Sequence, residues 1–480
     1  MGVLVDFPPT HKDISPFKGA SIAESFGKMW LTYTATADEE VLSSLEMLRA
    51  RSRYLCKNDV SGGMIENLVT NVVGTGLRLD ITLDNELLGI SEADAATWSR
   101  NVERRFQVWA SSPEPDIENK RSFYTIQRNG FRSMLIDGDA IALLTNIERM
   151  GSISSLRVNT IDAARVQSSV SASGIIKDSN GMPVKMVVQN PTDNTIRTVN
   201  IYHELGLRNI VHSYIDVLIG QSRGLPFIQS IISRMRKLEK YSEAELGAAV
   251  ITSLLVLAFE KAPSNGGAAD AFKELLTGKS GDGKEQKGRD IHMTEGMQID
   301  LEPGEKIQTV KSDRPNSGYG TFVESVWKEI SIALNVPYEI LTKQFGKSYS
   351  ASRGAIHEAY KYFLAMRDQF ASEFVQPIYE RWLFEEVAEG RVVAPGYLTD
   401  AFLRRLWSAA RWVGPPKSAL DENKEASAAK TRIGTGYSTL KKEAAAFDGS
   451  NYEDVYAQRK REAEKERDLE AIKNESLSYK

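Results

Sequence analysis

Apolar positions along the chain switch between two periods, and the switches mark out its elements. From residue 38, after an acidic start at Asp38-Glu39-Glu40, Val41, Leu45 and Leu48 recur at spacings of four and three, which predicts a helix. A second helix is predicted over 58–73, with Met64, Ile65, Leu68, Val69 and Val72 on one stripe and Gly74-Thr75-Gly76 as its stop. Residues 77–83 alternate as a strand does. Helices follow at 91–111 and 123–135. Short alternating runs at 140–145, 154–158, 175–177, 184–189 and 198–202, punctuated by Gly, Asn and Pro, predict antiparallel β structure. The first half therefore reads as a mixed α+β body.

After Gly224-Leu225-Pro226 nothing but Gly247 interrupts a helical reading from 227 to 259, about 33 residues or roughly 50 Å. Its first half is charged and its second half apolar, as in a helix that leaves one environment for another. Residues 261–320 then hold ten glycines and little apolar content, with a mobile loop expected at 278–288. Within them, 297–301 and 306–310 flank Pro303-Gly304-Glu305 as a small hairpin. Helix resumes at Tyr319, with Phe322, Val323, Val326, Trp327, Ile330 and Leu334 on one face, and stops at Asn335-Val336-Pro337. A polar connector over 340–350 leads to a long helix over 351–389. Pro377 inside it predicts a bend near Val375. The remainder is helical and charged, ending in a solvated stretch at 453–473. The first 37 or so residues lack periodicity and read as an arm.

Composition narrows the function. One cysteine, Cys56, cannot close an internal disulfide or build a thiolate metal site, so a reducing cytoplasm is the expected place of synthesis. The opening MGVLVDFPPTHKD is interrupted by Asp6, Pro8 and Pro9, so no secretory leader is expected. The apolar run 250–259 is too short to span a bilayer, so no membrane role is expected. A net charge of −4 argues against a clamp that neutralises DNA phosphates over the whole surface.

Catalytic signatures are missing. His11, His203, His212, His292 and His357 stand apart from partners at metal-ligand spacing. No GxGxxG or GxxxxGK[ST] occurs. Asp137 and Asp139 could serve as paired acids, but Asp-Gly-Asp between elements is first a turn. No enzyme activity and no cofactor are expected. The segment 343–350 brings Lys343, Lys347 and Tyr349 into one loop between helices. An ordinary solvated loop is the simpler reading. The functional reading is a flexible basic loop that touches a polyanion without gripping it.

Five stretches in order resemble the lambda-like portal proteins of tailed bacteriophages: RSRYLCKNDVSGGMIENLVTNVVGTGLRL (51–79), GQSRGLPFIQSIISRMRKLEKYSEAELGAAVITS (220–253), LNVPYEILTKQFGKSYSASRGAIHEAYKYF (334–363), QPIYERWLFEEVAEG (376–390) and WVGPPKSALDENKEASAAKTRIGTGYSTL (412–440). The sequence departs from that pattern at 262–290 and at Gly414-Pro415, where the family typically has Asp-Pro.

The resemblance implies a homo-oligomeric ring, usually of twelve subunits, at one capsid vertex. Double-stranded DNA passes through it without sequence preference, driven in by a separate terminase and later ejected. Implied partners are the terminase large subunit, head–tail connectors or adaptors, and the major capsid protein; the implied location is the virion, after assembly in the host cytoplasm. The implied parts are an N-terminal arm (1–44), an α+β wing (45–225), a stem helix (226–260), a small α/β clip (261–318), a second stem helix (319–336), a tunnel loop (337–350), a kinked tunnel and wing helix (351–394), and a helical crown with a charged tail (395–480). Lys343, Gln344, Lys347 and Tyr349 would face DNA from the tunnel loop, and Pro377 would set the kink. Other capsid or connector proteins remain an alternative, as, more remotely, does a nucleic-acid motor subunit.

Overall fold

The computed structural model describes residues 35–167, 173–190, 194–253, 257–261, 305–309, 318–345, 349–417, 422–450 and 452–478. The expected arm up to residue 34, the loop at 278–288 and the 297–301 half of the expected hairpin lie outside them. The chain forms two compact units, Met1–Ile232 with Ser331–Lys480, and Ser233–Ile330. Helices and antiparallel sheets are mixed throughout, an α+β arrangement. Among the described residues, no helix is long and apolar enough to cross a membrane.

In the larger unit, α1 (Ala37–Asn58) starts on a capping box: the Thr36 hydroxyl accepts from the Glu39 amide, and the Glu39 carboxylate accepts from the Thr36 amide. Helix α2 (Ser61–Val72) buries the whole predicted stripe from Met64 to Val72. A one-turn helix α3 (Asn85–Leu88) precedes α4 (Glu92–Ser111) and α5 (Phe123–Asp137). Strand β1 (Arg78–Ile81) pairs antiparallel with β10 (Ala410–Val413), from far along the chain. The central sheet is β3-β2-β7, from β3 (Leu156–Ile161), β2 (Asp139–Asn146) and β7 (Ile210–Tyr214); a second sheet is β4-β5-β6, from β4 (Ile175–Lys177), β5 (Pro183–Gln189) and β6 (Ile196–Asn200). Ile141, Met186, Val188 and Ile210 bury into one core that joins the two sheets.

A second core is aromatic. Phe106 lies with its ring centroid 5.0–6.0 Å from those of Trp109, Phe123, Tyr379, Trp382 and Trp412. It thus joins α4 and α5 to the C-terminal half. Each such fully buried ring contributes on the order of 1.5–3 kcal/mol through lost water contact, and edge-to-face pairs add to that.

In the smaller unit, the sequence-based helix over 227–259 is shorter than expected. A 3₁₀ turn at Gln229–Ile231 leads into α6 (Ile232–Ser253), and Leu257–Lys261 forms strand β8. The apolar run at 250–259 suits either element, and pairing decides: β8 finds β9 (Glu305–Thr309) antiparallel, Leu257 opposite Thr309 and Lys261 opposite Glu305. The 306–310 half of the expected hairpin is thus a strand whose described partner is β8. Helix α7 (Tyr319–Leu334) runs antiparallel to α6: Arg234 Nε lies 3.3 Å from Glu329, while Tyr319 donates its hydroxyl to Ser242 at 3.0 Å and stacks on Tyr241.

Candidate functional site

The segment between α7 and the next long helix is built from three stops in succession. Asn335 takes the left-handed conformation (φ 53°) that ends α7, and the Ser331 hydroxyl donates to the Val336 carbonyl at 2.7 Å. Pro337 then caps a short α8 (Tyr338–Thr342). Lys343 ends α8, again left-handed (φ 56°). The segment is pinned from below, because the Asn67 amide on α2 donates to the Ile340 carbonyl at 2.8 Å. Tyr338 donates its hydroxyl to Gln344 Oε1 at 3.3 Å. Lys343, Gln344 and Phe345 are all exposed. Of the four loop residues singled out from the sequence, Lys343 and Gln344 therefore share one exposed turn. Lys347 lies outside the described residues, and Tyr349 opens α9 (Tyr349–Phe370) with its side chain likewise outside them.

Two features fix the far end of this segment. Arg367 of α9 is buried and donates to the carbonyls of Val72 (2.8 Å), Asn71 (3.0 Å) and Pro415 (2.9 Å). Its guanidinium thus satisfies the end of α2, where unpaired carbonyls and the helix dipole favour a cation. Beyond α9, Ala371–Val375 is a π-helical turn, and α10 (Gln376–Ala388) follows with Pro377 in its first turn. A proline ring at 377 would strike the carbonyl of residue 373 in a continuous α-helix. The observed Gln376 amide instead reaches back five residues to Ala371. The Glu373 carboxylate in this turn accepts from Ser213 of β7 at 2.7 Å.

Asp137 and Asp139, read from the sequence as a turn, do flank one: Gly138 closes α5 in the left-handed conformation (φ 90°). Asp139 is more than that. Fully buried, it pairs with Arg49 and with Arg223 (2.9 Å), and it bonds His212 Nε2 and the Gly224 amide, each at 2.8 Å. Arg223 also donates to the carbonyls of Ala163, Val166 and Ser173, and Arg53 ties Asp137 to Asp162. Burial alone would raise the Asp139 carboxyl, but the Arg223 charge, the His212 contact and Arg49 outweigh it and hold it well below the usual carboxylate range. With both oxygens occupied and its charge matched, it joins α1, α5, β2, β7 and the approach to α6, and it exchanges no proton near neutral pH. No sequence signal marks this cluster, since its members are separated by 73 to 90 residues. Among the described residues no group of three or more His, Cys, Asp or Glu could hold a metal ion.

Comparison with known proteins gives consistent results. The portal protein of Escherichia phage N15 is 25% identical over 470 residues, covering 90% of this chain and 87% of that protein. Portal protein B of Escherichia phage lambda is 24% identical over 462 residues, covering 91% and 86%. Among solved structures, a chain from the virion of a native gene transfer agent particle overlaps 76% of this chain and 93% of its own length, with a TM-score of 0.40 at 12% identity. A chain from the neck of that native particle, computed with C12 symmetry, overlaps 71% and 88% with a TM-score of 0.37 at 13% identity. The family described as "Phage portal protein, lambda family" matches residues 25–367. With that match spanning well over half of its 480 residues, the chain belongs to the lambda family of phage portal proteins.

Proposed function

We propose that the chain is the repeating subunit of a ring, twelve-fold as is usual in this family, through which double-stranded DNA enters and leaves a phage capsid. The observation that carries this reading is the family match across residues 25–367. The portal role is structural: the subunit surrounds and docks, while a terminase supplies the motor and connectors bind after packaging. The major capsid protein would surround the ring at its vertex in the virion, following assembly in the host cytoplasm.

The wing is assigned to 45–225, the stem to 226–260 and 319–336, and the clip to 261–318. The tunnel loop is assigned to 337–350, the tunnel and wing helix to 351–394, and the crown with its tail to 395–480. The antiparallel α6–α7 pair and the β8–β9 ladder at its end support the stem assignment. The exposed turn carrying Lys343 and Gln344 supports the loop assignment, with Lys347 and Tyr349 completing it. A net charge of −4 suits a passage, since each added phosphate contact would hold DNA more tightly and make sliding more salt-dependent.

Negative-stain images of the purified full-length chain test the proposal. Rings with a central hole are expected. A monomer under all conditions, with ATP hydrolysis, would overturn it.

A further inference from the structure

A cavity of about 150 Å³ lies between α4, the β1–β10 ladder and the C-terminal helices. Those helices are α11 (Ala401–Trp407), α12 (Glu422–Gly434), α13 (Leu440–Phe447) and α14 (Tyr452–Ser478), of which α13 and α14 reach the cavity. Its basic lining is Arg78, Arg100, Arg104, Arg411 and Lys441. Its acidic lining is Asp80, Glu103 and Asp454, so bases exceed acids by two.

The acids are already committed. Asp80 takes Arg411 at 2.6 Å and Lys441 at 3.0 Å, one on each oxygen. Asp454 faces Arg104 at 3.7 Å, and Glu103 accepts from the Ile81 amide at 2.9 Å. Arg78 donates to the Gly449 carbonyl at 3.4 Å and its charge helps hold the nearby Asp448 carboxyl down, while Arg100 pairs with no carboxylate among the described residues.

We propose that this cavity binds a free phosphate-class oxyanion, held by the Arg78 and Arg100 guanidiniums with the Tyr124 hydroxyl beside them. Guanidinium forks match the oxygen spacing of phosphate. The volume suits one tetrahedral anion or a few waters. Burial pushes the Glu103 carboxyl up.

Isothermal titration of inorganic phosphate into the full-length chain at low ionic strength, with chloride at matched ionic strength as control, tests this. Saturable binding is expected in phosphate alone. Arg100→Gln should weaken it about tenfold or more, with unchanged thermal unfolding, while Arg100→Lys should recover part of it. Arg78→Gln provides a second, independent variant. No saturable binding, or binding unchanged in both glutamine variants, would overturn the proposal. A short DNA duplex added as competitor separates the sources. Failure to displace phosphate supports a free anion; displacement that both glutamine variants abolish assigns the site to a nucleic-acid phosphodiester and overturns the free-anion assignment.

Discussion

Arg223 and Asp139, 84 positions apart in sequence, meet as a fully buried pair with Nη2 2.9 Å from the carboxylate. Because Arg49 converges on the same carboxylate, removing its charge strands two buried cations, Arg49 and Arg223. Asp139→Asn should cost roughly 3–5 kcal/mol, read as a lower urea midpoint with an unchanged slope. The same group sets an acid limit. Its folded pKa is depressed below the unfolded value of about 3.9, so its contribution is complete above that value and lost as pH falls through the folded one. Wild type should therefore lose more stability than Asp139→Asn between about pH 5 and pH 2. Parallel losses in the two proteins would remove Asp139 as the cause.

Gly414 sits where a side chain has no room. A Cβ there would lie 2.4 Å from Arg367 Nε, and that guanidinium holds three carbonyls of distant segments. Gly414→Ala should force Arg367 aside and destabilise by about 1–3 kcal/mol. An unchanged thermal midpoint would show that the arginine has another resting place.

Pro377→Ala restores a backbone donor and removes the ring from the Glu373 carbonyl. The turn at Ala371–Val375 should tighten towards α geometry, with the Gln376 amide moving from Ala371 to the residue-372 carbonyl. A crystal structure of the variant that keeps the five-residue bond would show that packing sets the turn instead, through the stacked Phe370 and Phe374 rings (5.0 Å).

Replacing Lys343 and Lys347 with Ala should leave ring assembly intact and impair DNA packaging or retention. Packaging at wild-type efficiency in an assembly assay would remove the loop's proposed role.

What the sequence made legible was local. The α2 stripe is visible because it buries one face, and a buried face has a period. Asn335-Val336-Pro337 marks the end of α7 because asparagine readily takes the left-handed conformation and the residue before a proline is pushed out of the helical region. Long-range pairing left no such trace. Residues 257–259 continue an apolar run that reads as helix, and only pairing with β9 makes them strand; nothing near Ala410–Val413 announces that it completes a sheet with β1. Asp139 shows the same limit. Asp-Gly-Asp is a turn by local chemistry, and only the arrival of Arg49, His212 and Arg223 makes it a junction.

The pairing of β1 with β10 has a consequence for biosynthesis. Asp80 meets Arg411 across 331 positions, and at ribosomal rates of about 5–20 residues per second the second strand emerges roughly 15–70 s after the first. Throughout that interval β1 is a strand without its mate, and the end of α2 awaits Arg367. A nascent chain this long therefore spends most of its synthesis with an open edge, so translation speed and chaperone access should govern its yield.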